Sequence, residues 1–229
     1  MSWVSIIPVR SGSKGIRNKN TRSIFGKPLY QYTVDFALKA GAKEIHITTD
    51  IEEILHSPPE EKIIVTKRDQ KLCKDDSMMS DVLLNFLTGS EGSKIKDNQT
   101  IVLLQATSPL RKEKDLLKAL QIFENSPKTD LMMAVTPAEN KSLKYGYIIK
   151  GNFKHISDPR LCFENRQNLP KLFKPTGAFY IFKAGWYRKN KSLATNATKA
   201  YEIPGNLSLD IDSLDDFAKF EAMLKGKGI

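Results

Sequence analysis

Val4-Ser5-Ile6-Ile7-Pro8-Val9 empties into Arg10-Ser11-Gly12-Ser13-Lys14-Gly15-Ile16-Arg17-Asn18-Lys19-Asn20. An apolar run that gives way to small residues and cations reads as a central strand delivering a phosphate-binding loop. Gly12 and Gly15 can take positive φ and let the backbone approach a ligand, so that successive N–H groups converge on phosphate oxygens. Arg10, Lys14, Arg17 and Lys19 supply charge, arginine as a planar fork of donors and lysine as a point charge that can follow a moving oxygen. The spacing matches neither G-x-x-x-x-G-K-[ST] nor G-x-G-x-x-G, so the usual NTPase and dinucleotide readings are not licensed. A solvated basic turn is the alternative for this segment taken alone.

Beyond the loop, apolar residues recur at helical spacing over residues 28–40, closed by Gly41, and residues 44–49 alternate as a strand ending at Asp50. Further strands are expected at 63–66, 100–105, 131–135 and 178–182, with helices at about 77–87 and 112–123. Strands alternating with helices argue for an α/β fold, a Rossmann-like three-layer sandwich with a mostly parallel sheet. Over residues 138–175 the alternation breaks into two short strands, 145–149 and 153–156, around Lys150-Gly151-Asn152. An isolated hairpin buries little and must pack on its own domain or on another subunit.

The 229 residues suit one α/β domain, and 40% hydrophobic with 27% charged residues is a soluble composition. No apolar run approaches the roughly 20 residues of a membrane span, no signal peptide is read, and Cys73 and Cys162 lack metal-type spacing. A cytoplasmic protein with free thiols and no membrane partner is expected. The formal charge of +10 favours anionic partners. Much of the excess is scattered, as at Lys112, Lys114 and Lys118, without the interleaved aromatics of a nucleic-acid surface, so no nucleic-acid partner is expected.

In open parallel sheets ligands bind past the carboxyl ends of strands. Gln105, Thr107, Ser108 and Arg111 follow the most apolar strand, where they could position a base, ribose or sugar, or cap the next helix. Asp210 and Asp212 flank Ile211, and on an extended segment both carboxylates point to one face, a donor pair suited to Mg²⁺ with substrate phosphates. Ser213, Asp215 and Asp216 read as the cap and first turn of a helix. Arg166 could pair bidentately with a carboxylate or phosphate. His46, His56 and His155 form no partner pattern, and there is no G-x-S-x-G elbow.

Four ordered segments, Ile7-Pro8-Val9-Arg10-Ser11-Gly12-Ser13-Lys14-Gly15 with Lys19-Asn20, Leu104-Gln105-Ala106-Thr107-Ser108-Pro109-Leu110-Arg111, Pro175-Thr176-Gly177-Ala178 and Asp210-Ile211-Asp212, resemble the acylneuraminate cytidylyltransferases. These include CMP-N-acetylneuraminate, legionaminate and pseudaminate synthetases. The resemblance implies transfer of CMP from CTP to the anomeric hydroxyl of a nonulosonic 2-keto-3-deoxy acid sugar, with release of pyrophosphate. It implies a nucleotide site at Arg10, Ser11, Gly12, Ser13, Lys14, Lys19 and Asn20, with Arg68 and Ser77 near the cytosine. Gln105, Thr107, Ser108 and Arg111 would border the sugar, Lys144, Arg166 and Gln167 would take its acid side, and Asp210 and Asp212 would hold Mg²⁺. Arg10, Lys19, Asp210 and Asp212 carry the chemistry on this view. The arm at about 138–175 would serve homodimerisation and sugar binding. Ser11, Arg17, Ala106 and Thr176 depart from the frequent Gly, Pro, Pro and Asn, and residues 140–144 lack the usual His-Pro, which leaves the sugar open. The rival readings are a nucleotidyltransferase for another sugar such as 3-deoxy-octulosonate, and a basic nucleic-acid-binding protein.

Overall fold

The opening strand, β1 (Trp3–Val9), is apolar on both sides because both sides are covered. Trp3, Ile7 and Val9 face one core, Val4 and Ile6 another. The computed structural model describes residues 1–12, 15–58 and 60–226. After β1 come a two-residue pair, β2 (Ser23–Ile24) and β3 (Lys27–Pro28), and α1 (Leu29–Lys39). Then follow β4 (Glu44–Thr49), α2 (Glu52–Leu55), β5 (Ile63–Lys67), α3 (Met79–Thr88), β6 (Thr100–Leu103) and α4 (Glu113–Glu124). The chain continues through β7 (Leu131–Ala138), β8 (Gly146–Ile149), β9 (Asn152–His155), β10 (Leu172–Lys183), α5 (Ala184–Asn190), β11 (Thr198–Glu202) and α6 (Leu214–Lys225).

Seven strands form the main sheet in the order β11-β7-β10-β6-β1-β4-β5. Pairing is parallel except around β10, which runs antiparallel to both β6 and β7. Helices α1, α2, α4 and α6 bury Val34, Ile54, Leu120 and Phe220 against one face. Helices α3 and α5 bury Phe86 and Tyr187 against the other, completing the three-layer arrangement expected of a mostly parallel sheet. From β1 the chain steps out to β4 and β5, then returns to β6 on the far side of β1. Such a reversal opens a crevice at the carboxyl ends of the strands, the usual ligand position in open α/β sheets.

β10 starts six residues earlier than the sequence suggested, and its pairing with β7 shifts register between Pro175 and Tyr180. Gly177 lies in this irregularity at φ +69°, and a Cβ there would stand 2.3 Å from Gln105 Oε1 and 2.8 Å from Ser108 Oγ. The loop after β6 is thus seated against bare backbone. β8 and β9 pair only with each other, as a separate two-stranded ribbon. Replacing Gly177 with Ala is expected to cost about 1–3 kcal/mol, read as a lower Tm, because both the conformation and the space oppose a side chain.

Candidate active site

The carboxyl ends of β1, β5 and β6 open on a cleft of about 290 Å³. It is lined by Arg10, Lys19 and Asn20 from the N-terminal loop, Arg68 past β5, Gln105 and Thr107 past β6, and Asp210 and Asp212 from the segment before α6. Pro8, Met79 and Ala106 complete the wall. The two ends of the chain meet here through Lys19 Nζ, which lies 2.8 Å from Asp212 Oδ1.

Backbone contacts set this meeting. Gly15 passes so close to Asp212 that a Cβ would fall 2.7 Å from the Asp212 carbonyl oxygen, so its small size is required by close approach. Neither Gly15 nor Gly12 is in the left-handed region, which corrects the expectation of positive φ at both, and the missing Cβ of Gly12 would meet only ordinary contacts. The segment carrying Asp210 and Asp212 is irregular, not a strand end, yet the two-residue alternation holds: Ile211 is fully buried while both carboxylates line the cleft. Ile211 N donates to Thr107 O at 2.8 Å, joining this segment to the loop after β6. Ser213 caps α6 in a reciprocal box with Asp216, whose Oδ2 also accepts from Asp212 N at 3.3 Å.

Three cations and two carboxylates share the cleft wall. Desolvation pushes the Asp210 carboxyl above its ordinary value; Asp212 and Asp216 add to this, while a hydrogen bond from Thr107 and the charge of Lys19 oppose it. Arg68 is almost fully buried, its Nη2 donating to Thr48 O at 2.7 Å, and burial lowers its pKa against the charges of Cys73 and Asp50. Among the described residues, the buried Arg68 Nε and Asn20 Oδ1 at this wall meet no hydrogen-bond partner. The other end of the Asn20 amide donates to Arg10 O at 2.9 Å. Among the described residues no group of three or more His, Cys, Asp or Glu could by itself hold a metal ion. Asp210 and Asp212 can hold Mg²⁺ only together with oxygens from elsewhere, which matches a cation that arrives with phosphates.

Other expected site residues lie away from this wall. The Arg111 guanidinium donates to Ala178 O at 2.6 Å, Thr33 Oγ1 at 3.0 Å and Gln105 O, tying the loop after β6 to β10 and α1. Burial pulls its pKa down to about 9, against the opposing charge of Asp210, and it remains a cation at neutral pH. Ser108 is buried and donates to Thr176 O at 3.0 Å. Ser77 bonds the Lys71 carbonyl at 3.4 Å. Ser11 turns both its N–H (2.8 Å) and its hydroxyl (2.6 Å) to the Asp50 carboxylate, so that N–H does not point at a ligand. Ser13 and Lys14 lie outside the described residues. Arg166 and Gln167 line a separate hollow of about 710 Å³ at the base of the β8–β9 ribbon, with Asn140, Lys171 and Glu202. Lys144 Nζ donates to Glu164 O at 2.5 Å beside it.

Sequence reading passed over Asp50 and Asp75, which hold Ser11 and Arg10. Asp50 was within reach, because it stands just past a strand end, where polar residues gather. Asp75 gives no such signal.

A switch-point cleft holding a cationic loop opposite an acid pair places this chain among α/β proteins with the chemistry to take a phosphorylated ligand and its divalent cation there. The family profile described as "Cytidylyltransferase" matches residues 4–226, and the chain belongs to that family. It is 34% identical, over 95% of its length, to an N-acylneuraminate cytidylyltransferase of Streptococcus agalactiae, of which it covers 52%. It is 29% identical to a pseudaminic acid cytidylyltransferase of Campylobacter jejuni, over 96% of this chain and 95% of that protein. The chain therefore spans about half the length of the streptococcal relatives it matches and nearly all of the Campylobacter one. A solved structure of CMP:2-keto-3-deoxy-manno-octonic acid synthetase complexed with CTP superposes with TM-score 0.72 at 17% identity, covering 99% of this chain and 100% of that one. That likeness speaks to the fold.

Because desolvation raises the Asp210 pKa, its ionised form costs folding free energy at neutral pH. Asp210→Asn is expected to raise the Tm of the ligand-free protein at pH 7. The gain should shrink as pH falls through the raised pKa and vanish below the ordinary aspartate value of about 3.9, where the parent carboxyl is protonated in both states. A lower Tm at pH 7 would contradict the assignment.

Proposed function

We propose that this protein is a cytidylyltransferase that transfers CMP from CTP to a nonulosonic, sialic-acid-like 2-keto-3-deoxy acid sugar. The observation that carries the reading is the cleft itself, where Arg10, Lys19 and Arg68 stand with Asp210 and Asp212. The buried Arg68 Nε and Asn20 Oδ1 support it, since they meet no partner among the described residues, buried polar atoms of that kind are uncommon, and a nucleotide would supply partners. Family membership and the named relatives supply the substrate class.

In the reaction the anomeric hydroxyl oxygen attacks the α-phosphorus of CTP and loses its proton to water, the bond from that phosphorus to the oxygen bridging to the β-phosphate breaks, and pyrophosphate leaves. Displacement at phosphorus asks mainly for positioning and charge neutralisation. Arg10 and Lys19 neutralise the triphosphate from the loop side, and Gln105 and Thr107, past the neighbouring β6, border the sugar. Asp210 and Asp212 would hold Mg²⁺, which supplies Lewis-acid neutralisation of phosphate oxygens. Asp212 must then exchange part of its bond with Lys19, freeing that ammonium for phosphate.

Lys144, Arg166 and Gln167 are assigned to the acid end of the sugar in a homodimer. Tyr147, Ile148, Ile149 and Phe153 stand exposed on the β8–β9 ribbon, and Phe163 beyond it is 88% exposed. A two-stranded ribbon with that much uncovered apolar surface is suited to docking on a second copy. Sedimentation should show a dimer for the parent and a monomer for Ile148→Asp, with loss of sugar-dependent turnover. An unchanged dimer would remove the arm from the account.

CTP-dependent pyrophosphate release should appear with at least one of N-acetylneuraminate, legionaminate and pseudaminate. Turnover of 3-deoxy-octulosonate alone would favour the rival sugar, and silence with all four would count against the activity. CTP should raise Tm more than UTP, ATP or GTP, because ligand-linked stabilisation follows affinity.

A further inference from the structure

Arg10 and Ser11, the first residues past β1, are held from behind by carboxylates. Arg10 Nη2 lies 2.7 Å from Asp75 Oδ1, in a pair whose side chains are only 28% and 32% exposed. Its Nη1 faces the Cys73 carbonyl at 3.5 Å, in the same segment between β5 and α3. Ser11 is tied separately, through N and Oγ, to Asp50. Burial would raise the Asp50 pKa, but the Ser11 bonds outweigh it and hold the carboxyl below its ordinary value. Arg10 lines the cleft, while Asp50 and Asp75 do not.

A guanidinium has five N–H donors in a fixed plane, so those turned to Asp75 and Cys73 leave others for a ligand. An arginine without such backing samples many rotamers, and fixing one on binding costs free energy that preorganisation avoids. We propose that Asp75 is a positioning residue that acts through Arg10, fixing the guanidinium so that its free edge meets the triphosphate of the incoming nucleotide. The proposal rests on the reading of the cleft as a CTP site. It assigns Asp75 a favourable effect on nucleotide affinity although its charge repels phosphate, because the pair at 2.7 Å fixes the guanidinium directly, while the repulsion acts at longer range on a carboxylate already neutralised by Arg10.

Calorimetric titration of the full chain with CTP and Mg²⁺ tests this, with ligand-free Tm recorded for every variant so that titrations run where each is folded. Asp75→Ala is expected to weaken CTP about tenfold, the scale of one charge-assisted hydrogen bond. Asp75→Asn, which keeps an acceptor oxygen for Arg10, should recover part of the loss. In an Arg10→Ala background, adding Asp75→Ala should change affinity little, because the residue through which it acts is gone. CTP binding by Asp75→Ala that equals or exceeds the parent's, or an undiminished effect in the Arg10→Ala background, would overturn the proposal. Failure of the parent itself to bind CTP would overturn the cleft reading, and the inference with it.

Discussion

An ammonium and a carboxylate separated by 193 residues, Lys19 Nζ and Asp212 Oδ1, face each other at 2.8 Å across the junction on which the candidate site depends. The pair is not important for its energy, since Asp212 is largely exposed and such pairs contribute little. It marks a junction made by backbone. Gly15 runs against the Asp212 carbonyl, Ile211 N is bonded to Thr107 O, and Ile211 is buried in the main core. The loop after β1 and the segment before α6 are therefore built into one wall. A ligand placed there meets cations from one end of the chain and acids from the other.

That arrangement carries its own counter-ions. Lys19 faces Asp212 and Arg10 faces Asp75, while Ser11 is capped by Asp50. Cations held close together repel in a partly desolvated cleft, and these carboxylates offset that repulsion. The overall charge of +10 plays a different part, attracting anions from a distance in a salt-dependent way without selecting among them.

Much of the fold was legible because both of its periods are written plainly. β4 falls on its expected residues, and α1, α3, α4 and β5 fall within one or two. β11 went unread, since Thr-Lys-Ala-Tyr-Glu is half exposed on an edge and shows no apolar face. The front of β10 was hidden by Lys174-Pro175, which reads as a turn but lies in a strand that shifts register there. At the site, Arg68 came only with the family resemblance, whereas the rule that polar residues gather past strand ends found Arg10, Gln105 and Thr107, which line the cleft. It could not separate these from Ser108 and Arg111, which bend inward to Thr176 and Ala178, because that choice depends on how β10 passes the loop some 67 residues later. Asp75 was invisible for the same reason: its meaning lies in its partner.

Hydrogen–deuterium exchange with and without CTP and Mg²⁺ tests the shared wall most directly. Joint protection of the amides after β1 and those just before α6, at the same nucleotide concentration, is the result the account predicts. Protection of the N-terminal loop alone, with the Asp210–Asp212 segment exchanging as in the free protein, would contradict it.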